Sequence, residues 1–219
     1  MSGEYDTEPV RGLPARLPPG EHLLWQGSPR WQGVARRALH VRKLAVYFGA
    51  LVAWRVIAAI DGGENLLSAL LGCIWIVALA LAAIGLLALL AWLTARTTVY
   101  TITNRRVVLR FGVALPMAIN LPFKSIGSAA LRHYTDGTGD IPLALTGDVH
   151  IAYLQLWPHA RPWHVKHPEP MLRSVPDAAH VSEILAQAMT ASLAATSSEP
   201  AERAARPPAS ARPLASAAA

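Results

Sequence analysis

Residues 66–95 contain no charged side chain, and Ser68 and Thr94 are almost their only polar members. At about 1.5 Å of rise per residue, a helix of that length outreaches the roughly 30 Å hydrocarbon core of a bilayer. Its middle, residues 70–81, is apolar on every helical face. A helix lying on a soluble domain shows one apolar stripe and one wet face instead. A core helix of a large soluble protein would need surrounding protein that a 219-residue chain scarcely supplies. Two crossings would leave about fifteen residues each, below the usual minimum, with no Pro, Asn or Asp to turn the chain. The run therefore reads as one long, tilted span.

A second apolar run, residues 44–60, is interrupted by Arg55. An arginine at the centre of a span costs roughly 2.5–3.5 kcal/mol, and less near an interface. One reading has Arg55 reach for the far membrane surface. The other gives it a carboxylate, a pigment or a partner helix within the membrane. Asp61 is not that carboxylate, because six residues of helix place it about 240° around the axis.

The connection Asp61-Gly62-Gly63-Glu64-Asn65 is turn-forming, acidic and free of Lys and Arg. The outer flanks are basic: Arg30, Arg36, Arg37, Arg42 and Lys43 before the first run, Arg96, Arg105, Arg106 and Arg110 after the second. This asymmetry predicts a two-helix transmembrane hairpin over residues 44–95, its loop outside and both termini cytoplasmic. Trp54, Trp75 and Trp92 help set its depth, with the mid-span Trp75 packed on the other helix. Topology also accounts for the net charge of +6, with no aromatic-interleaved basic surface to suggest nucleic acid. The 53% hydrophobic and 16% charged residues agree with partial lipid exposure. Cys73, the only cysteine, forms no intrachain disulfide and reads as a small packing residue.

Outside the hairpin, residues 1–20 read as a disordered leader without a secretory signal. Residues 21–43 are an N-terminal extended piece followed by a basic juxtamembrane segment. Residues 96–193 form a cytoplasmic β domain with a C-terminal helix. Residues 194–219, rich in Ala, Ser, Pro and Arg, form a disordered tail. Within the β domain, strand-like alternation recurs over residues 98–103, 107–111, 117–121, 126–134, 141–145 and 149–157. Asp136-Gly137, Gly139-Asp140 and Gly147-Asp148 supply turns between them. Six short strands predict a small antiparallel barrel or sandwich. Residues 157–176 read as a loop or extended arm. Asp177 then caps a helix whose Val181, Ile184, Leu185 and Ala188 lie on the barrel.

The inventory for catalysis is thin. The acidic residues here are Asp136, Asp140, Asp148, Glu169, Asp177 and Glu183, three of them in turn signatures, and no nucleophile elbow or Gly-rich phosphate loop occurs. His159, His164 and His167 match no metal-site spacing, so no metal or cofactor is expected. The segment Trp157-Pro158-His159-Ala160-Arg161-Pro162-Trp163-His164 reads instead as a recognition element, because Trp and Arg dominate interface energies. Trp157, His159, Arg161, Trp163 and Arg173 are the candidate partner-binding residues, with Arg55 the intramembrane polar one. The alternative is that the two indoles close one end of the barrel.

Tyr100-Thr101-Ile102-Thr103-Asn104-Arg105-Arg106-Val107, Phe111-Gly112 and the stretch Ile119-Asn120-Leu121-Pro122-Phe123-Lys124-Ser125-Ile126 resemble the bacterial pleckstrin-homology-like domain. In those membrane-tethered proteins a Glu-x-x-x-Trp-type opening, here Glu21 to Trp25, precedes a helical pair. Leu156 to Trp163 with Pro170-Met171-Leu172-Arg173 is similar to the PuhB photosynthetic complex assembly family of purple bacteria. That resemblance covers about residues 14–189 and implies three spans, where this sequence supports two. It implies a cytoplasmic-membrane factor assembling the photosynthetic reaction centre, with an effect on the light-harvesting antenna LH1. The partners so implied are reaction-centre subunits, LH1 and membrane lipid. Ala78, Ala82, Ala83 and Gly85 offer a surface for a homodimer. The resulting fold class is membrane α+β: a two-helix transmembrane hairpin plus a pleckstrin-homology-like antiparallel β-barrel with a C-terminal α-helix. The rival function is a membrane-tethered sensor or lipid- or protein-binding module unrelated to photosynthesis.

Overall fold

The chain enters its β domain before the apolar helices and returns to it after them. A computed structural model describes residues 12–13, 16–113, 115–147 and 151–205, the side chains of 195–205 excepted. Strand β1 (Leu23–Gly27) is followed by a short helical turn α1 (Trp31–Gly33), a π-helical turn (Val34–Ala38) and helix α2 (Val41–Asp61). Helices α3 (Leu66–Gly72) and α4 (Ile74–Thr97) lead into β2 (Val99–Thr103), which pairs antiparallel with β1. The extended piece expected within residues 21–43 is therefore an edge strand of the domain. The Glu-x-x-x-Trp opening now has a physical meaning. Glu21 receives Arg106 Nε at 2.8 Å and Nη2 at 3.1 Å, and also the Thr103 hydroxyl at 2.9 Å. Trp25 packs against the core. Arg106, read from sequence as a topology charge, is committed to that carboxylate.

β2, β3 (Arg106–Phe111) and β4 (Met117–Pro122) extend β1 into a four-stranded meander. The β2–β3 turn is held by Thr103, whose hydroxyl accepts the Arg105 and Arg106 amides, and by Asn104, which exchanges hydrogen bonds with His22 and Gly20. A second sheet contains β5 (Ile126–Ala129), β6 (Arg132–His133), β7 (Thr138–Leu145) and β8 (Met171–Pro176), all paired to β7. Among the described residues no ladder joins the two sheets, so the expected barrel is a two-sheet arrangement. Helix α6 (Ala178–Ala205) packs Ala178, Val181, Leu185 and Ala188 into the shared core with Tyr100, Ile102, Leu109, Ile141, Leu143 and Leu172. Asp177 occupies the position before this helix with φ 48°, and its N–H donates to Gly137 O.

Several boundaries differ from expectation. The run 126–134 is two strands split at residues 130–131, where β7 bulges between Gly139 and Ile141 on its other edge. Residues 153–156, inside the expected sixth strand, form the helical turn α5 (Tyr153–Leu156), and β8 lies inside the expected loop. Helix α6 continues past residue 194 to Ala205. In the leader, Leu13 is 1% exposed. Residues 1–11, 14–15 and 206–219 of the expected disordered ends, and Asp148 of the third turn, lie outside the described residues.

Two helices are long and apolar enough to cross a membrane, Val41–Asp61 and the α3–α4 unit Leu66–Thr97, and only 6% of each apolar window is buried. A soluble core helix would be mostly buried. The longer unit is interrupted at Cys73, whose N–H donates to Leu70 O and whose thiol donates to Ala69 O. Ala59, Ala69 and Cys73 are buried within the hairpin, while Trp75 is 83% exposed and does not pack on α2 as expected. Arg55 lies 3.7 Å from Glu64 of the acidic loop, and its guanidinium sits over Gly72, where a Cβ would approach Nη2 to 3.1 Å. The loop thus supplies the carboxylate from Glu64 rather than Asp61.

Candidate interaction site

The segment singled out for recognition is an arm with a buried root and an exposed tip. At its root, His159 N–H donates to Leu156 O and His159 O accepts the Met171 amide, which stitches the arm to β8. Above this, Ala160 bridges Pro170, the Arg161 amide donates to Glu169 O, and Arg161 Nη1 lies 2.7 Å from Glu169 Oε2. The Trp157–Pro158 peptide bond is cis. Trp163 at the tip has φ 67° and is 95% exposed, with Val165 exposed beside it. Trp157 is 47% exposed. Neither indole closes an end of the domain.

The five candidate residues therefore divide. Trp157 and Trp163 are displayed, Arg161 fixes the arm through Glu169, and His159 and Arg173 lie in the interior at 0% and 4% exposure. His159 Nδ1 is 2.8 Å from the Tyr100 hydroxyl, and its Nε2 is 3.2 Å from Thr98 Oγ1. The Tyr100 oxygen already accepts the Arg173 amide at 3.1 Å. Its own proton is then satisfied by donation to Nδ1, which assigns the Nε2–H tautomer donating to Thr98. Burial, helped by the Arg173 charge, pushes the imidazole down to about 3, and burial pushes the Tyr100 phenol up. The ring is thus neutral at physiological pH, with both nitrogens occupied. His164 Nδ1 turns to Pro162 O, so the arm's histidines do not converge. Arg173 Nη2 donates to Ala160 O, while its Nε has no partner.

Sequence reasoning missed a second polar assembly beside this root. Arg37, from the segment ahead of α2, pairs with Asp136, donates to Thr138 Oγ1 at 2.8 Å and Ser174 Oγ at 3.4 Å, and lies 3.5 Å over the Tyr134 ring. Asp136 accepts the Thr138 hydroxyl at 2.6 Å and its amide at 3.1 Å. Those bonds, first the hydroxyl's, and then Arg37, hold its carboxyl down at about 2. Tyr134 donates to Asp140 Oδ2 at 2.7 Å, and burial together with that carboxylate raises its phenol to about 12. Asp140 Oδ1 accepts the Ser174 amide at 2.7 Å. No local motif announces this set, because an Asp-Gly dipeptide reads as a turn wherever it occurs. Between the assembly and the arm lies a cavity of about 940 Å³ lined by Arg37, Arg132, Tyr134, Trp157, Arg161 and Trp163, among others. Arg37 and Arg161 are already paired with Asp136 and Glu169, so what the cavity offers is chiefly aromatic and apolar area.

The chain is 39% identical over 193 residues to a protein of Rhodobacter capsulatus described as an uncharacterized 23.7 kDa protein in the puhA 5' region. The match covers 87% of this chain and 89% of that one. A crystal structure of a protein with a pleckstrin-homology domain from Shewanella loihica matches at 16% identity and a TM-score of 0.29, covering 42% of this chain and 70% of that chain. The family described as bacterial PH domain matches residues 38–189, from the residue before Leu39 to the last turns of packed α6. The chain belongs to the bacterial PH domain family.

Proposed function

We propose that this protein is a multi-pass inner-membrane factor, both termini cytoplasmic, that assembles the photosynthetic reaction centre and its LH1 antenna by holding client subunits. It works without catalysis. The observation that carries the proposal is the 39% identical relative, placed by its description in the 5' region of the photosynthesis gene puhA. The geometry supplies a means. Two poorly buried apolar helices offer a face to incoming helices in the bilayer, and the Trp163 arm stands on the domain that the chain re-enters where α4 ends. Exposed tryptophans on an anchored arm give a partner large apolar area at little entropic loss.

A clean deletion in the native host tests this reading. Reaction-centre absorbance in isolated membranes falls while pigment synthesis continues, and the full chain co-purifies with reaction-centre subunits. Near-infrared spectra identical to those of the parent strain refute it and favour a pleckstrin-like module with no photosynthetic task.

A further inference from the structure

The groove where the apolar hairpin meets the domain has a composition that client holding does not use. It is a cavity of about 500 Å³ between α1, the end of α4 and the turn before β7. Arg30, Arg36 and Arg96 line it, with Trp31 and Trp92 beside them. The Arg96 guanidinium lies 5.3 Å from the Trp92 ring centroid, and no carboxylate pairs with any of the three arginines among the described residues. One carboxylate also lines the cavity, Asp136, but Arg37 and Thr138 occupy it. Three arginines thus line one space without a carboxylate partner of their own among the described residues. The segment before α2 and the last turn of α4 both contribute, so the space lies at the same end of both apolar helices.

We propose that this groove binds the phosphate of an anionic glycerophospholipid, with the two indoles against its glycerol and upper acyl chains. The inference rests on the membrane reading of α2 and α3–α4. Guanidinium groups match phosphate oxygens in bidentate geometry, and indole rings settle at the headgroup level of a bilayer. A free phosphate would use the arginines and leave Trp31 and Trp92 without a role; a lipid uses both. Basic pockets at the cytoplasmic ends of membrane helices take anionic headgroups for this reason.

The test uses the full chain in nanodiscs of equal phosphatidylglycerol and phosphatidylcholine, followed by stepwise delipidation and lipid quantification. The native chain retains phosphatidylglycerol over phosphatidylcholine. Each of Arg30→Gln, Arg36→Gln and Arg96→Gln lowers that preference about fivefold, while Arg42→Gln with Lys43→Gln, outside the groove, preserves it. An equal loss in the Arg42/Lys43 pair overturns the site in favour of diffuse attraction. Thermal stabilisation of the detergent-solubilised chain by inorganic phosphate, equal to that by short-chain phosphatidylglycerol, overturns the lipid as occupant. Release of the chain from native membranes by alkaline carbonate sinks the membrane reading and this proposal together. A membrane-retained chain without headgroup preference sinks this proposal alone.

Discussion

Lowering the pH from 7 to 5 should weaken the domain through one residue, His159. Its imidazole sits at 0% exposure between Tyr100 and Thr98, with burial holding its proton affinity at about 3. In the unfolded chain the same ring titrates near 6.5. The folded value is the depressed one, so between roughly pH 6.5 and 3 the unfolded state binds the extra proton. The contribution is complete above the unfolded value and is lost as pH falls. The slope is about 1.4 kcal/mol per pH unit in that window, and integration from pH 7 to 5 gives a loss of about 2 kcal/mol. Urea unfolding of the full chain in detergent micelles, followed by tryptophan fluorescence at both pH values, measures it. Subtracting the same two curves for His159→Gln removes every other titrating group. Glutamine retains a donor and an acceptor for Thr98 and Tyr100 but carries no proton equilibrium. The variant should be less stable at pH 7 by about 1–3 kcal/mol, from poorer hydrogen-bond geometry and lost ring contact with Phe111. Its pH dependence should be flatter by about 2 kcal/mol over the same range. Equal losses in parent and variant between pH 7 and 5 would refute the placement of a neutral, fully enclosed ring.

Other substitutions probe the joints of the molecule. Glu21→Gln removes the charge that receives Arg106 and Thr103, and should cost about 1.5–3 kcal/mol in the same urea assay; an unchanged midpoint would deny β1 its anchoring role. Gly33→Ala puts a methyl 2.6 Å from the Ser174 Cβ, so α1 must lift from β8. A loss of about 1–3 kcal/mol is expected, with faster hydrogen exchange at the Arg30 amide that donates to Ser174 O; unaltered exchange there would contradict the close approach. Trp163→Ala, at 95% exposure, should leave the unfolding midpoint within about 0.5 kcal/mol. It should reduce co-purification of reaction-centre subunits at least tenfold, and undiminished capture would remove the arm from the recognition surface.

The apolar hairpin was legible because its signal is local: residues 66–95 carry their message without reference to any other part of the chain. The packed face of α6 was legible for the same reason, since its spacing alone brings Val181, Leu185 and Ala188 to one side. Strand identity was harder at residues 149–157 and 171–176. Short apolar runs fit a strand or a helical turn equally, and β8 carries an arginine and a serine that become buried only because β7 and Tyr100 receive their backbone. The candidate site was half legible. Trp157 and Trp163 stand out by residue type, but whether His159 faces solvent depends on Tyr100, fifty-nine positions earlier. Arg37 and Asp136 lie ninety-nine residues apart, and each has a sufficient local explanation, a span flank and a turn, which concealed their pairing.

That pairing changes how the hairpin and the domain relate. β1 precedes the apolar helices and β2 follows them, so hydrogen bonds from Leu23–Gly27 to Val99–Thr103 tie the entry and exit of the hairpin together. Arg37 adds a second tie between the entry segment and the second sheet through Asp136, Thr138, Ser174 and the Tyr134 ring. A tether of a few flexible residues would let the domain swing about the end of α4. Two separated ties, one to each sheet, suppress both the swing and the rotation. Arg161 then holds the arm against Glu169, so the base of the arm, two residues before Trp163, is joined to the apolar helices through a continuous chain of bonded groups. For a factor of the kind proposed, that fixed relation matters because a second contact strengthens the first only where the geometry lets both be engaged at once.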